Sequence, residues 1–462
     1  MNRLTVFEDL IREINHSNTL STNDISDYIV GGLFSKAETI AGKVVSRQET
    51  PGIDWDSKLD DILTSRFFGI PCMILLVAAV FWLTVTGANY PSQALATFFF
   101  WGQEKLTSLL VLLNAPVWVN GFFVEGIYRC LAWVIAVILP PMAIFFPCFT
   151  VLEDIGYLPR VAFNLDNLFK RAGTQGKQSL TMSMGFGCNA AGVIACRIID
   201  SPRERMIAMI TNNFVPCNGR FPTIIVLAGI LVLGTGVSFG STLIVVGVVL
   251  FGVLTTFTVS WILSRTLLKG KPSPFTLELP PYRKPQIGKI IMRSIFDRTL
   301  FVLGRAVCVA APAGGVIWLL ANINIGEASL LAYFASLLDP VGRLLGMDGH
   351  ILTAFILGLP ANEIVLPILI MSYLATGTLT EIDSIQALYN LFVNEHGWTW
   401  LTVVCMMLFS LLHYPCSTTL WTIWRESGKS IKWTALSALI PLAVACAVCF
   451  TVAQAARLLG FT

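Results

Sequence analysis

Gly185-Phe186-Gly187-Cys188-Asn189 and Pro216-Cys217-Asn218-Gly219-Arg220 each interrupt a run of apolar sequence, and their reading decides the fold. Exposed backbone N–H and C=O groups cost several kcal/mol each in lipid, so glycine, proline and amide residues at membrane depth belong where backbone is enclosed in protein or lines a wet cavity. Each interruption also carries a thiol. Thiolates suit borderline and soft metals, whereas Mg²⁺ and Ca²⁺ take oxygen ligands. The pattern therefore predicts a membrane path for a transition-metal cation.

Working outward, the 462 residues are 55% hydrophobic and 13% charged, with a mean hydropathy of +0.71. Soluble domains carry about 25% charged residues, so the chain reads as an all-α, polytopic membrane bundle. A net charge of +3 with no basic tail excludes a nucleic-acid partner. The first 66 residues contain no apolar core of a signal peptide and read as a cytosolic helical segment. The eleven cysteines fall mostly in apolar runs without disulfide-like spacing, and Cys72, Cys130, Cys196, Cys308, Cys405, Cys446 and Cys449 read as small buried hydrophobes.

About 20 apolar residues cross a bilayer core. Spans are expected at about 67–86, 123–148, 206–232, 241–264, 299–321, 399–423 and 433–456, with 92–114 an interfacial helix or a poor span. Segments 180–196 and 350–374 are apolar but rich in glycine, proline and polar residues. Arg160, Lys170, Arg171 and Lys177 precede the first, and Arg197, Arg203 and Arg205 follow it, so both its flanks are expected in the cytosol. The flanks of 350–374 are poor in Lys and Arg and are expected outside. Two re-entrant hairpins entering from opposite sides predict a pair of inverted repeats. Phe214–Ile224 also aligns with His413–Ile423 through Pro216/Pro415, Cys217/Cys416, Thr223/Thr422 and Ile224/Ile423. The expected organisation is an N-terminal cytosolic segment (1–66), a first span with an amphipathic helix (67–122), a first gate module (123–264), a basic cytosolic connector (265–298) and a second gate module (299–462).

The candidate metal ligands are Cys188, Asn189, Cys217, Asn362, Glu363 and Cys416, with Asn218, Ser417 and His413 beside them. Pro216 and Pro415 are expected to free carbonyl oxygens one turn before each cysteine, because proline lacks the N–H they would accept. Glu363 is an intramembrane carboxylate, a group that normally serves a cation. Glu153, Asp154 and Arg160 are expected to form a local structural ion pair that anchors the first hairpin. Gly173-Thr-Gln-Gly-Lys-Gln-Ser179 lacks the G-x-x-x-x-G-K-[ST] spacing of a phosphate loop, which argues against nucleotide hydrolysis by this chain.

Leu152-Glu-Asp-Ile-Gly-Tyr-Leu-Pro-Arg160, the two cysteine segments, Ser201-Pro-Arg-Glu-Arg205, Glu278-Leu-Pro-Pro-Tyr-Arg283, Gly358-Leu-Pro-Ala-Asn-Glu-Ile364 and Pro415-Cys-Ser-Thr-Thr419 together resemble the membrane domain of FeoB ferrous-iron transporters. The resemblance covers about residues 55–460 and implies gate modules similar to those of nucleoside transporters. It also implies Fe²⁺ as the transported ion with no prosthetic group, and pore residues at Cys188, Cys217, Glu363 and Cys416. Such proteins ordinarily begin with a G domain, and no such motifs precede the membrane part here. A separate FeoB-like G protein, small Feo accessory proteins and a second copy of the chain are the partners this implies, at a prokaryotic inner membrane with the N-terminus in the cytosol. The expected function is a ferrous-iron permease without enzyme activity. The alternatives are transport of another divalent transition metal or a nucleoside-type solute, a membrane thiol oxidoreductase, and a non-transporting sensor.

Overall fold

The computed structural model describes residues 22–44, 55–65, 67–235, 240–270, 282, 285–326, 328–380, 382 and 384–460. Parts of the expected N-terminal segment and residues 271–281, 283 and 284 of the connector, hence the Glu278–Arg283 motif apart from Tyr282, lie outside these residues. Two short helices open the described chain, α1 (Thr22–Val44) and α2 (Trp55–Leu63). Next comes α3 (Gly69–Leu112), a single helix with Pro91 inside it. A separate span at 67–86 and helix at 92–114 are therefore not found. At about 1.5 Å per residue, α3 is roughly twice the thickness of a hydrocarbon core, so its polar end, with Gln103, Glu104 and Lys105, reaches past the apolar layer.

Six helical segments among the described residues are long and apolar enough to cross a membrane, which makes the chain a multi-pass membrane protein. They are α3, α4 (Val117–Ile155), α10 (Gly240–Arg265), α11 (Ile287–Asn322), the segment Trp400–Glu426 and α18 (Ile431–Leu458). Helices α4 and α11 pack closely because Gly126 and Gly314 meet at the crossing, where an added methyl on either would overlap the other helix. There the Cys130 thiol donates to the Ala310 carbonyl at 3.5 Å.

Between and around these long helices lie two series of shorter pieces. The first comprises α5 (Tyr157–Arg171), α6 (Lys177–Gly187), α7 (Asn189–Ala195), α8 (Pro202–Thr211) and α9 (Phe221–Thr235). The second comprises α12 (Leu330–Leu344), α13 (Gly349–Leu357), α14 (Val365–Leu374), α15 (Ile385–Tyr389), α16 (Trp400–Leu412) and α17 (Ser417–Glu426). A two-stranded antiparallel hairpin, Asn324–Ile325 with Ala328–Ser329, joins α11 to α12.

The repeat extends to single bonds, with equivalent residues 173 positions apart. Asp166 accepts from the Gly176 N–H at 2.8 Å and pairs with Lys170 at 3.0 Å. Asp339 accepts from the Gly349 N–H at 3.2 Å and pairs with Arg343 at 2.6 Å. Gly173 and Gly346 both adopt left-handed backbone, with φ of 80° and 77°. At the hairpin tips, Cys188 and Ala361 share φ −154° and ψ 124°.

The expected continuous span 206–232 is instead two half-helices, α8 and α9, separated by an irregular stretch over 212–220. Helices α16 and α17 are likewise interrupted over 413–416. Pro216 and Pro415 sit in these breaks, where each removes the N–H that would continue the helix.

Candidate functional site

The two hairpin tips and the two helix breaks converge on one cavity of about 40 Å³. Cys188 and Asn189 come from the first tip, and Cys217, Asn218 and Gly219 from the first break. Asn362 and Glu363 come from the second tip, and Cys416, Thr418 and Thr419 from the second break. All six residues expected as metal ligands therefore line the same space, although Cys188 and Cys416 are 228 positions apart. Ile138 and Met142 of α4, with Val302 and Ala306 of α11, wall it with apolar side chains.

Backbone bonds hold tips to breaks within each repeat. Asn218 N–H donates to Gly187 O at 3.3 Å, and Ser417 N–H donates to Leu359 O at 2.8 Å. Within the cavity a side-chain contact joins the repeats: Asn362 Nδ2 lies 3.9 Å from Cys217 Sγ. Cys416 Sγ is 3.2 Å from Thr419 Oγ1. The Asn189 side-chain oxygen is enclosed with no hydrogen-bond partner. An enclosed acceptor without a donor is costly unless a cation or ordered water meets it. The Glu363 carboxylate has no ion-pair partner among the described residues, and a methyl added at Gly219 would overlap it. Among the described residues, no three His, Cys, Asp or Glu side chains form a ready metal site. The donors are gathered but not closed around a centre.

Arg220 has a role that the sequence reading did not assign. It is 1% exposed, and its guanidinium spans the two breaks. Nη1 donates to Asn213 O at 2.7 Å and Leu411 O at 2.6 Å. Nη2 donates to Asn213 Oδ1, His413 O and Tyr414 O, each at 3.1 Å. Leu411 O is the carbonyl that Pro415 leaves without a helical donor. The oxygen expected to face an ion is instead bound by arginine. Its only sequence signal was an arginine placed next to a proline-broken apolar run.

His413 does not line the cavity. Its Nδ1 lies 2.9 Å from Phe409 O and 3.0 Å from Ser410 O, so this nitrogen is a donor, and the ring stacks on Phe409. Its helix has ended, and the imidazole takes up carbonyls of the last turn. The cysteines read as structural are free thiols; Cys130, Cys196, Cys405 and Cys449 are buried. Cys308 is exposed on α11, contrary to the buried position expected for it.

At the expected anchor, Arg160 has a partner from outside the local segment. Arg160 grips Asp60 of α2 with two bonds, at 2.9 and 3.1 Å, while Asp154 accepts from Gln286 N–H at 3.3 Å. Glu153 faces a second, larger cavity. Tyr282 donates to Asp60 at 2.7 Å, and its ring lies 4.2 Å from the Arg160 guanidinium. Asn164 donates to Leu63 O at 2.7 Å. The N-terminal segment, α5 and the connector thus meet at one residue. The Arg160 hydrogen bond holds the Asp60 carboxyl below its ordinary range, and burial pushes the Tyr282 phenol up to about 12.

Comparison with known proteins agrees with this architecture. A gate-family profile described as "Nucleoside recognition" matches residues 135–231 and 303–430, the two repeats. A profile described as "Ferrous iron transport protein B C terminus" matches residues 245–297. The "Fe(2+) transporter FeoB" of Staphylococcus aureus (strain MSSA476) is 28% identical over 433 residues, 91% of this chain. The chain belongs to the FeoB family. It spans 62% of the length of that S. aureus relative. The Synechocystis sp. "Fe(2+) transporter FeoB" is 28% identical over 95% of this chain and 69% of its own length. A Porphyromonas gingivalis relative, an "Fe(2+) transport protein A/Fe(2+) transporter FeoB fusion protein", is 26% identical over 86% of this chain and 51% of its own length. No solved structure matches the chain.

Proposed function

We propose that the chain carries Fe²⁺ across a prokaryotic inner membrane through the cavity between the two hairpin tips. The observation that carries this reading is the convergence of Cys188, Asn189, Cys217, Asn362, Glu363 and Cys416 on one small space. The orphaned Asn189 oxygen, a carboxylate without a counter-ion and three thiols form a mixed donor set. Fe²⁺ binds weakly among first-row divalent ions. A transport site must release its cargo, and mixed donors that close only when the hairpins move serve that better than a rigid thiolate cage. A nucleoside needs a pocket of roughly 300 Å³ or more. A cavity of about 40 Å³ favours an ion with at most one or two waters.

The repeats are inverted, with Lys177 and Arg203 facing the cytosol and Asp348 facing outside. The N-terminus lies in the cytosol, and energy coupling reaches the membrane part through a separate G protein or accessory proteins that meet α2, α5 and the connector. The P. gingivalis fusion protein supports an accessory partner. The test is Fe²⁺ flux into proteoliposomes. Cys188→Ser keeps the size of the side chain but replaces a soft, ionisable donor, and should reduce flux at least about tenfold, the cost of one lost charge-assisted contact. Cys196→Ser, outside the cavity, should leave it unchanged. Wild-type flux in a folded Cys188→Ser protein would remove this cavity from the path.

A further inference from the structure

A second cavity, of about 920 Å³, is separate from the one between the hairpin tips and shares only Val302 with it. It is bounded by α4, the first hairpin, α11 and the end of α17, so both repeats contribute walls. Its charged groups are Arg197, Arg305, Arg425 and Lys429 against Glu153 and Glu426. Glu426 is already held by Arg197 through two bonds, at 2.7 and 2.6 Å. Arg305 donates to Thr422 Oγ1 at 2.7 Å and lies over the Phe301 ring at 4.0 Å. Arg305, Arg425 and Lys429 have no carboxylate partner among the described residues. Lys429 is one of three non-glycine residues there with left-handed backbone, at φ 63°. Such conformations cost on the order of 1–3 kcal/mol and cluster where ligands are clamped.

The rest of the lining is largely apolar, with Phe146, Leu158, Leu180, Met184 and Ile198 as its wall beside the basic groups of the rim. A free phosphate would satisfy the rim and leave that wall in water. An acyl chain with a phosphate head would satisfy both. Basic pockets between membrane helices at the interface have this chemistry.

We propose that this cavity binds one anionic phospholipid. Its phosphate sits among Arg305, Arg425 and Lys429, and an acyl chain runs along the apolar wall. The lipid then bridges the first hairpin of one repeat to the α17 end of the other.

The test uses the full chain, purified and incubated with phosphatidylcholine vesicles doped with phosphatidylglycerol. Retained lipid is counted by native mass spectrometry, and thermal stability is followed in parallel. The wild type should retain one phosphatidylglycerol and be stabilised by it. Arg305→Gln/Arg425→Gln should retain it roughly 30-fold less well, at about 1 kcal/mol per basic group near a membrane surface. Lys429→Gln, at an exposed turn, gives the same direction of change should the double variant fold poorly. Equal retention in wild type and variants would overturn the proposal. So would equal retention of phosphatidylcholine, which would make this an apolar groove only. Equal stabilisation by inorganic phosphate without lipid would assign the rim to a free ion and overturn it as well.

Discussion

Gly219 offers the sharpest perturbation of the cavity. An alanine methyl there would sit 2.5 Å from the Glu363 carboxyl carbon and 3.1 Å from Cγ, and would overlap Oε1 outright. Carbon atoms rest at about 3.5–4.0 Å, so the carboxylate must retreat by about 1 Å. The backbone of Gly219 is not left-handed, so alanine adds no backbone strain. The cavity holds only about 40 Å³, which leaves the displaced group little room except away from the thiols. Losing one charge-assisted contact to the cargo costs about 1.5–3 kcal/mol. Gly219→Ala should therefore lower Fe²⁺ flux roughly tenfold to a hundredfold, with the protein still inserted and folded.

A compensating substitution should restore part of the flux. Glu363→Asp shortens the acid by one methylene and returns the space that the methyl took. The double variant Gly219→Ala/Glu363→Asp should then carry more Fe²⁺ than Gly219→Ala alone, measured as initial uptake rate in proteoliposomes at matched protein density. Unimpaired flux in Gly219→Ala, or a double variant no better than the single one, would refute a load-carrying role for the carboxylate at this position.

Cysteine-specific labels placed at Lys177 and Arg203 should react from one side of sealed vesicles, and labels at Asp348 and Thr376 from the other; a split within either pair would rule out re-entrant hairpins. Arg220→Met should abolish flux and destabilise the fold by about 3–5 kcal/mol, since it leaves several buried carbonyls without donors; Arg220→Lys, which keeps the charge and loses the fork, should recover fold more than flux, and equal recovery of both would show a purely structural staple. Because Asp60 is held below its ordinary range by Arg160, its contribution is present above about pH 3.8 and lost as pH falls through the lower folded value. Asp60→Asn should loosen α2 at neutral pH, read as faster proteolysis near residue 64, and should abolish the acid-induced step expected of the wild type.

The hairpins were legible because lipid makes glycine, proline and amides conspicuous in apolar sequence. Cys188, Asn362 and Glu363 stood out on that ground, and the cavity joins them. Proline marked both breaks, yet the span 206–232 still read as continuous, since hydropathy averages over a few irregular residues. The freed carbonyls were foreseen, but not that Arg220 would take them, because an arginine after a break reads as the start of a solvated loop. The partner of Arg160 was out of reach for a different reason. Asp60 is 100 positions away in a polar segment, and nothing local distinguishes it from Asp61. His413 misled because an imidazole beside a proline break looks the same whether it faces a cavity or its own last turn.

The repeat has an asymmetry that bears on mechanism. Backbone angles at Cys188 and Ala361 coincide, as do the Asp166 and Asp339 anchors, so the two hairpins are the same mechanical part. Asn189 and Asn362 are equivalent, and both line the cavity. The ionisable donors are not equivalent: Cys188 stands where the second hairpin has Ala361, and Glu363 stands where the first has Ala190. On the proposed inverted arrangement, one gate therefore carries a soft donor and the other a hard one. Opening the second hairpin withdraws the carboxylate and leaves thiols and amides; opening the first withdraws a thiol and leaves Glu363. Two identical gates would bind the ion equally in both states. With different donors on the same backbone, the two open states hold Fe²⁺ with different strength, a bias built into the ligands and available for an external energy source to exploit.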